Sequence, residues 1–238
     1  MSACGVRSSP VRDLAELTLV PNPMWPTVQA WVADSPVPVE QLPVERRTGE
    51  QCISRLQVTA ASTMGALALN CGGILVDHRW LRLYGGSQDP LVDLAVLNGL
   101  ATPPSGTPPH LVVASDVLGG RFAVNGEGLV GSPGEVCYFG PDTLEWEPLG
   151  MGHTDLVRWS LSGKTAEFYQ DLRWPGWEHE TAPVGPDQAI LVYPFLSTAE
   201  GRSNIGATKR TVVPRPEIDQ LLGFDPPPAP ASAIILPH

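Results

Sequence analysis

The chain has 238 residues, 42% of them hydrophobic and 17% charged, enough for one good core and too short for two large domains. Its formal net charge is −10, with Lys and Arg totalling only 15 and forming no run. That excludes the positive footprint nucleic acid requires, whereas an acidic surface suits a basic protein partner.

No apolar run approaches the ~20 residues that span a bilayer. Asp13 and Glu16 interrupt the N-terminal stretch where a secretory signal would need a continuous apolar segment. Cys4, Cys52, Cys71 and Cys137 lie far apart with no CxxC, and read as reduced small residues in a cytoplasmic protein. Residues 1–23 read as an N-terminal extension, 24–215 as a single domain, and 216–238 as a proline-rich tail ending in the apolar Ile234-Ile235-Leu236.

In chain order, "WPTVQAWVADS" predicts a short helix with Pro26 in its first turn and Trp25, Val28 and Val32 on one face. The prolines of "VPVEQLPVERR" forbid a long helix there. "TGEQCISRLQV" predicts a second helix. "STMGALALNCGG" predicts a third, capped by Ser62 and ended by a left-handed turn at Gly72-Gly73. "ILVDHRWLRLYGG" is β-rich. "DPLVDLAVLNG" predicts a helix capped by Asp89, with Gly99 past its end, and "ATPPSGTPPH" is a loop by composition.

The next stretch, "HLVVASDVLGGRFAVNGEG", sets an acid before paired glycines and then an Asn-Gly pair. A phosphate cradle would lead from a Gly-rich loop into a helix, but here the loop leads into "RFAVN", an alternating strand. The glycines therefore predict hairpin bends of an antiparallel meander. "EVCYFG" and "LEWEPLG" continue it, with Leu144 and Trp146 facing the core and Glu145 and Glu147 facing water. Two helical segments follow, "HTDLVRWSLSG" and "KTAEFYQDLRW". Then come the irregular "PGWEHETAPVG", the strand "QAILVYPFLS" and a turn-rich stretch with a small basic cluster, Lys209-Arg210.

Catalytic chemistry finds little support in spacing. There is no HExxH, HxH, CxxC or G-x-S-x-G. Asp77-His78, His153 with Asp155, Glu178-His179-Glu180 and Asp116 are the acid–base groupings, and no metal or cofactor is expected. Binding has better candidates. Asp116, Asp142, Glu145 and Glu147 predict an acidic patch on the meander, whose plain alternative is a solvated sheet face. Trp174 and Trp177 in "RWPGW", and Trp80 with Arg82, have the aromatic-and-arginine composition of interface anchors. Their plain alternative is capping the core under a loop.

The blocks "LQVTAASTMGALALNCGGILVDHRWLRLYGG", "ASDVLGGRFAVN", "YFGPDTLEWEPLG", "FYQDLRWPGWE" and "YPFL" occur in order from about Trp25 to about Arg215. Together they resemble an uncharacterised bacterial family catalogued as domain of unknown function 2625. His78 stands where that pattern has a glycine, and Tyr84-Gly85-Gly86-Ser87 where it has a Leu-Gly-Ser-Gly type of turn. More distantly, the order of a Trp-containing helix, Leu-Pro, helices, a meander with an acid before its glycine turn and a last helix is similar to the SUKH superfamily. That similarity implies an α+β fold and, for many members, service as immunity proteins that neutralise bacterial toxins.

The expected fold is α+β, an antiparallel meander of four to six strands with helices packed on one face. The expected function is non-enzymatic binding of a protein, a basic toxin domain being the partner the resemblance implies, through the acidic sheet face and its aromatic anchors. The alternatives are a hydrolase or lyase using Asp116 or the Glu178-His179-Glu180 group, and a self-associating module that forms a homodimer.

Overall fold

The computed structural model describes residues 11–87, 89, 91–100 and 108–224. Cys4, the Pro-rich stretch 225–238 with its Ile234–Leu236 patch, and loop residues 101–107 lie outside them.

The elements run α1 (Leu14–Thr18), α2 (Trp25–Ala33), β1 (Val39–Leu42), α3 (Arg46–Leu56), α4 (Thr63–Asn70), β2 (Gly73–Val76), β3 (Leu81–Tyr84) and α5 (Leu94–Leu97). Four strands follow, β4 (His110–Asp116), β5 (Arg121–Asn125), β6 (Val136–Phe139) and β7 (Trp146–Pro148). Then come α6 (His153–Ser160), α7 (Thr165–Phe168), α8 (Trp177–Thr181), β8 (Gln188–Tyr193), α9 (Ala199–Ser203), a 3-10 turn (Ile205–Ala207), β9 (Lys209–Pro214) and α10 (Arg215–Leu221).

The α+β class and the antiparallel meander hold. The main sheet has seven strands in the order β1-β2-β3-β4-β5-β6-β7, not four to six, and β8 and β9 form a separate antiparallel pair. Two strands of the main sheet are hidden in the sequence. The prolines flanking Val39–Leu42 are compatible with an edge strand, where one row of backbone donors needs no partner, and that is where β1 lies. "ILVDHRWLRLYGG" folds back on itself at Asp77–Arg79 to give β2 and β3.

Every residue of β2, β3 and β6 is buried, so both faces of the sheet are covered at its centre. One face carries Phe122 and Tyr138 against Trp159, Phe168 and Tyr169 from the α6–α7 region. The other carries Arg82, Ser115 and Arg121 in register and is covered by the β8–β9 hairpin and α10. The expectation of elements on one face alone is corrected accordingly. Of this second cover only β8 reads as a strand in the sequence, whereas β9 and α10 come from a stretch that reads as turns and tail.

Both proposed peripheral segments are partly integral. Leu17 in α1 is fully buried, its carbonyl accepts from the amide of Ala60, and Asp13 and Glu16 form a reciprocal capping box. Those two acids break an apolar signal because they cap a helix. Beyond residue 215, Ile218 and Asp219 of α10 are buried, and Phe224 packs on Phe139.

The local stop and start signals hold in part. Ser62 does cap α4, accepting from the Gly65 amide at 3.0 Å. That helix ends in extended Cys71, with φ −143°, and Gly73 opens β2. The cap of α5 is Asp93, not Asp89. Asn125 does not make a two-residue hairpin. Its side chain accepts from Glu127 and Leu129 amides and donates to carbonyls of Leu129 and Gly131, organising the long β5–β6 loop. Cys52, Cys71 and Cys137 are free and buried, and burial pushes the Cys52 and Cys71 thiols up to about 12.

Candidate docking surface

The Gly119-Gly120 bend joins β4 to β5. Gly119 has φ +100°, the left-handed region glycine enters freely. Asp116 locks this turn. Its Oδ1 accepts from the Leu118 amide at 2.9 Å and the Gly120 amide at 2.8 Å. Its Oδ2 accepts from the Tyr138 hydroxyl at 2.7 Å and the Tyr169 hydroxyl at 3.3 Å. A Cβ at Gly120 would collide with that carboxylate and with Tyr138, so the second glycine is required by close approach. Asp116 exposes nothing to solvent, and burial raises its pKa against the pull of those donors. It is a structural acid, and its place in an acidic outer patch is corrected.

Three other predicted anchors are also interior. Trp80 and Arg82 are 0% exposed and Trp174 is 2% exposed. Trp80 meets Tyr169, Trp177 and Trp174 at centroid distances of 5.3, 5.1 and 5.8 Å. Trp177 is half-buried and completes this cluster, with the Arg173 guanidinium 3.9 Å from its ring centroid. These tryptophans cap the core because the α7–α8 loop folds over the β2–β3 turn, an apposition that local sequence does not encode. Arg173 donates to Asp77 at 2.6 Å. Asp77, His78 and Arg79 are three consecutive residues with positive φ. His78 therefore occupies a left-handed position that a glycine would take without strain, and its ring packs edge-on against Trp177 at 5.7 Å.

The acid–base groupings do not assemble. Glu180 is paired through two oxygens with Arg210, which holds its carboxyl below the usual range. Among the described residues, no group of three or more His, Cys, Asp or Glu comes together in a way that could hold a metal. His153 is partly exposed as a residue, but its Nδ1 is sealed off and burial pushes its pKa down to about 4. A histidine kept neutral in the fold favours folding above its unfolded value of about 6.5. Stability should therefore fall as pH drops from there toward 4. His153→Gln should flatten that limb of the stability–pH curve measured by urea denaturation.

Glu145 and Glu147 are exposed beside and on edge strand β7, and Asp142 is partly exposed in the β6–β7 turn. What sequence reasoning missed is their neighbour. Leu118, Leu144, Leu191, Phe195, Leu221 and Leu222 line an apolar cavity of about 140 Å³. Leu144, Phe195 and Leu221 remain 46%, 42% and 54% exposed, and Tyr193, at 62%, stacks edge-on with Phe195. Leu144 also has φ +57°, an uncommon conformation for a bulky residue and a local strain of about 1 kcal/mol. The one sequence signal was Leu144 itself, read as inward by alternation with Glu145. The turn Gly140–Glu145, closed by a Leu144 amide to Gly140 carbonyl bond of 2.8 Å, aims it outward instead.

Among the described residues, no helix is long and apolar enough to cross a membrane. The family described as "Protein of unknown function DUF2625" matches residues 14–218. A putative uncharacterized protein, YbfG, of Escherichia coli strain K12 is 36% identical over 186 residues, 78% of this chain and 86% of its own. An uncharacterized protein of Haemophilus influenzae is 29% identical over 192 residues, 79% of this chain and 83% of its own. No solved structure matches.

Proposed function

The chain belongs to the DUF2625 family, and for this member we propose a non-enzymatic role, the binding of a basic protein partner. The docking surface is the apolar groove between the β6–β7 turn, the β8 end and α10, together with the acids on β7. One observation carries this reading. Leu144, Phe195 and Leu221 are exposed and line one cavity, exposed Tyr193 packs edge-on against Phe195, and Leu144 stands in the chain among Asp142, Glu145 and Glu147. Scattered surface leucines need no explanation, but a clustered apolar patch with a charged rim is the composition of a recognition site. The acid rim and the net charge of −10 select a partner segment that pairs an apolar anchor with Lys or Arg.

A basic toxin domain has that chemistry, and the resemblance to SUKH immunity proteins favours it. A cytoplasmic site of action goes with this proposal. Compared with the sheet-face expectation, Asp142, Glu145 and Glu147 are retained, and Trp80, Arg82, Trp174, Trp177 and Asp116 are replaced by groove residues.

The test is affinity capture from the native host at low salt, followed by binding kinetics on the captured partner. Leu144→Gly relieves the left-handed strain and should leave stability within about 1 kcal/mol while weakening binding roughly 10-fold. Glu145→Lys/Glu147→Lys should slow association roughly 10-fold at low salt and much less at high salt. A partner whose affinity ignores both variants, or no partner at all, would sink the proposal. A concentration-dependent dimer abolished by Leu144→Gly would assign the groove to a second copy instead.

A further inference from the structure

Arg82, Ser115 and Arg121 sit side by side on one face of β3, β4 and β5, and Arg215 reaches the same place from α10. Arg82 is 0% exposed and Arg215 is 8% exposed. Placing three guanidiniums under one hairpin demands an equal supply of acceptors, and the supply is short. Asp219 is shared, accepting from Arg121 at 2.8 Å and from Arg215 at 3.2 Å. Arg215 also donates to the Asp116 carbonyl at 3.0 Å, and Arg82 to the Gly185 carbonyl at 3.2 Å. The Asp116 carboxylate is taken up by its own turn and two tyrosines. Among the described residues, Arg82 Nε, Arg82 Nη1 and Arg215 Nη2 are buried without an acceptor.

A buried guanidinium lacking a counter-charge is among the costliest arrangements in a protein. The electrostatics register the imbalance. Burial and then Arg215 depress Arg82 to about 10. Tyr84 lies two residues from Arg82 along β3 and so shares its face, which brings its hydroxyl into the same layer. That hydroxyl and the one of Ser115 are 2.9 Å apart, so whichever donates to the other, one O–H stays available.

We propose that Arg82 and Arg215, with the Tyr84–Ser115 hydroxyl pair, form a buried binding site for a single halide ion, physiologically chloride, between the sheet and the β8–β9–α10 cover. Guanidinium N–H groups arriving from two strands of chain, plus one hydroxyl, suit a spherical ion that imposes no geometry. The sealed surroundings favour a monatomic ion over a polyatomic oxyanion. The ion supplies the missing charge and thereby fixes the C-terminal hairpin on the sheet.

The wild-type protein tests this without mutation. Melting temperature is followed as sodium chloride or bromide replaces sodium gluconate at constant ionic strength, with sulfate as a further arm. We expect a saturable rise of about 5 °C by ~150 mM halide, since ligand binding only to the folded state stabilises it by mass action. In bromide-soaked crystals an anomalous peak should lie between Arg82 and Arg215. Ser115→Ala, a small change, should shift the halide midpoint to higher concentration, and Arg82→Met, if it folds, should abolish the dependence. Equal melting temperatures in gluconate and halide, sulfate protecting where halide does not, or density at the site that behaves as water would each overturn the proposal.

Discussion

Asp116→Ala is expected to destabilise the protein by about 3–5 kcal/mol in urea denaturation, the range for removing a buried charged acceptor that satisfies several donors. The carboxylate serves the amides of Leu118 and Gly120 and the hydroxyls of Tyr138 and Tyr169. Alanine strands all four in a region from which Asp116, Leu118, Tyr138 and Tyr169 exclude water almost entirely. The damage should spread. The Val117 carbonyl in the same turn accepts from the Ile190 amide at 2.7 Å, so loosening the turn also loosens the β8–β9 cover.

Asp116→Asn should cost much less, about 1 kcal/mol, because an amide oxygen still serves the two backbone donors and the tyrosine hydroxyls can accept as well as donate. The same variant carries a pH signature. Burial raises the Asp116 pKa above 3.8, so the folded state binds its proton more tightly than the unfolded chain does. Acidification from the raised value down to 3.8 therefore favours folding through this residue, and the asparagine variant should lose that contribution. If Asp116→Ala cost under about 1 kcal/mol, the turn would not be held as described.

Arg173→Leu is the second large effect, again about 3–5 kcal/mol, for breaking a mostly buried ion pair by removing one partner. The side chains of Arg173 and Asp77 are only 10% and 8% exposed and meet at 2.6 Å. The guanidinium also lies 4.8 Å from the Trp80 ring centroid and 3.9 Å from that of Trp177, contacts of about 1–2 kcal/mol together when partly desolvated. Its loss leaves the Asp77 carboxylate uncompensated at the start of a turn whose residues Asp77, His78 and Arg79 all have positive φ. Arg79 holds the far side of that turn through Glu40 and the Val184 carbonyl, so the turn should survive but shift.

Adding Asp77→Asn to Arg173→Leu should recover about 1–2 kcal/mol, since asparagine removes the orphaned charge and tolerates the left-handed conformation. A double-mutant cycle reads this coupling. Additive costs for the two substitutions would show that Arg173 acts through its rings alone.

The elements of the sheet show where local reading stops. Alternation in "RFAVN" and "LEWEPLG" marks β5 and β7, and the short apolar run of "EVCYFG" marks β6 as a strand covered on both faces. The strand β1 between two prolines left no such pattern, because an edge strand of four residues is fixed by pairing with β2 and not by its own side chains. The tryptophans and Arg82 look like surface anchors in the sequence because their composition is the same in a core cluster and at an interface. Only the folding of 173–177 over the β2–β3 turn, and of 185–219 over the opposite face, separates the two cases.

By itself, the sequence determined the antiparallel α+β class, the glycine bends and the overall negative charge, because period-two patterning, positive φ and net charge are properties of neighbouring or summed residues. Tertiary structure alone decided that Asp116 is a sealed structural acid, that Leu144 faces out beside Glu145, and that Arg121 and Arg215 share the Asp219 carboxylate while Arg82 beside them has none. Each of those depends on which distant segment covers a side chain, and burial of that kind is set by long-range packing that no local window contains.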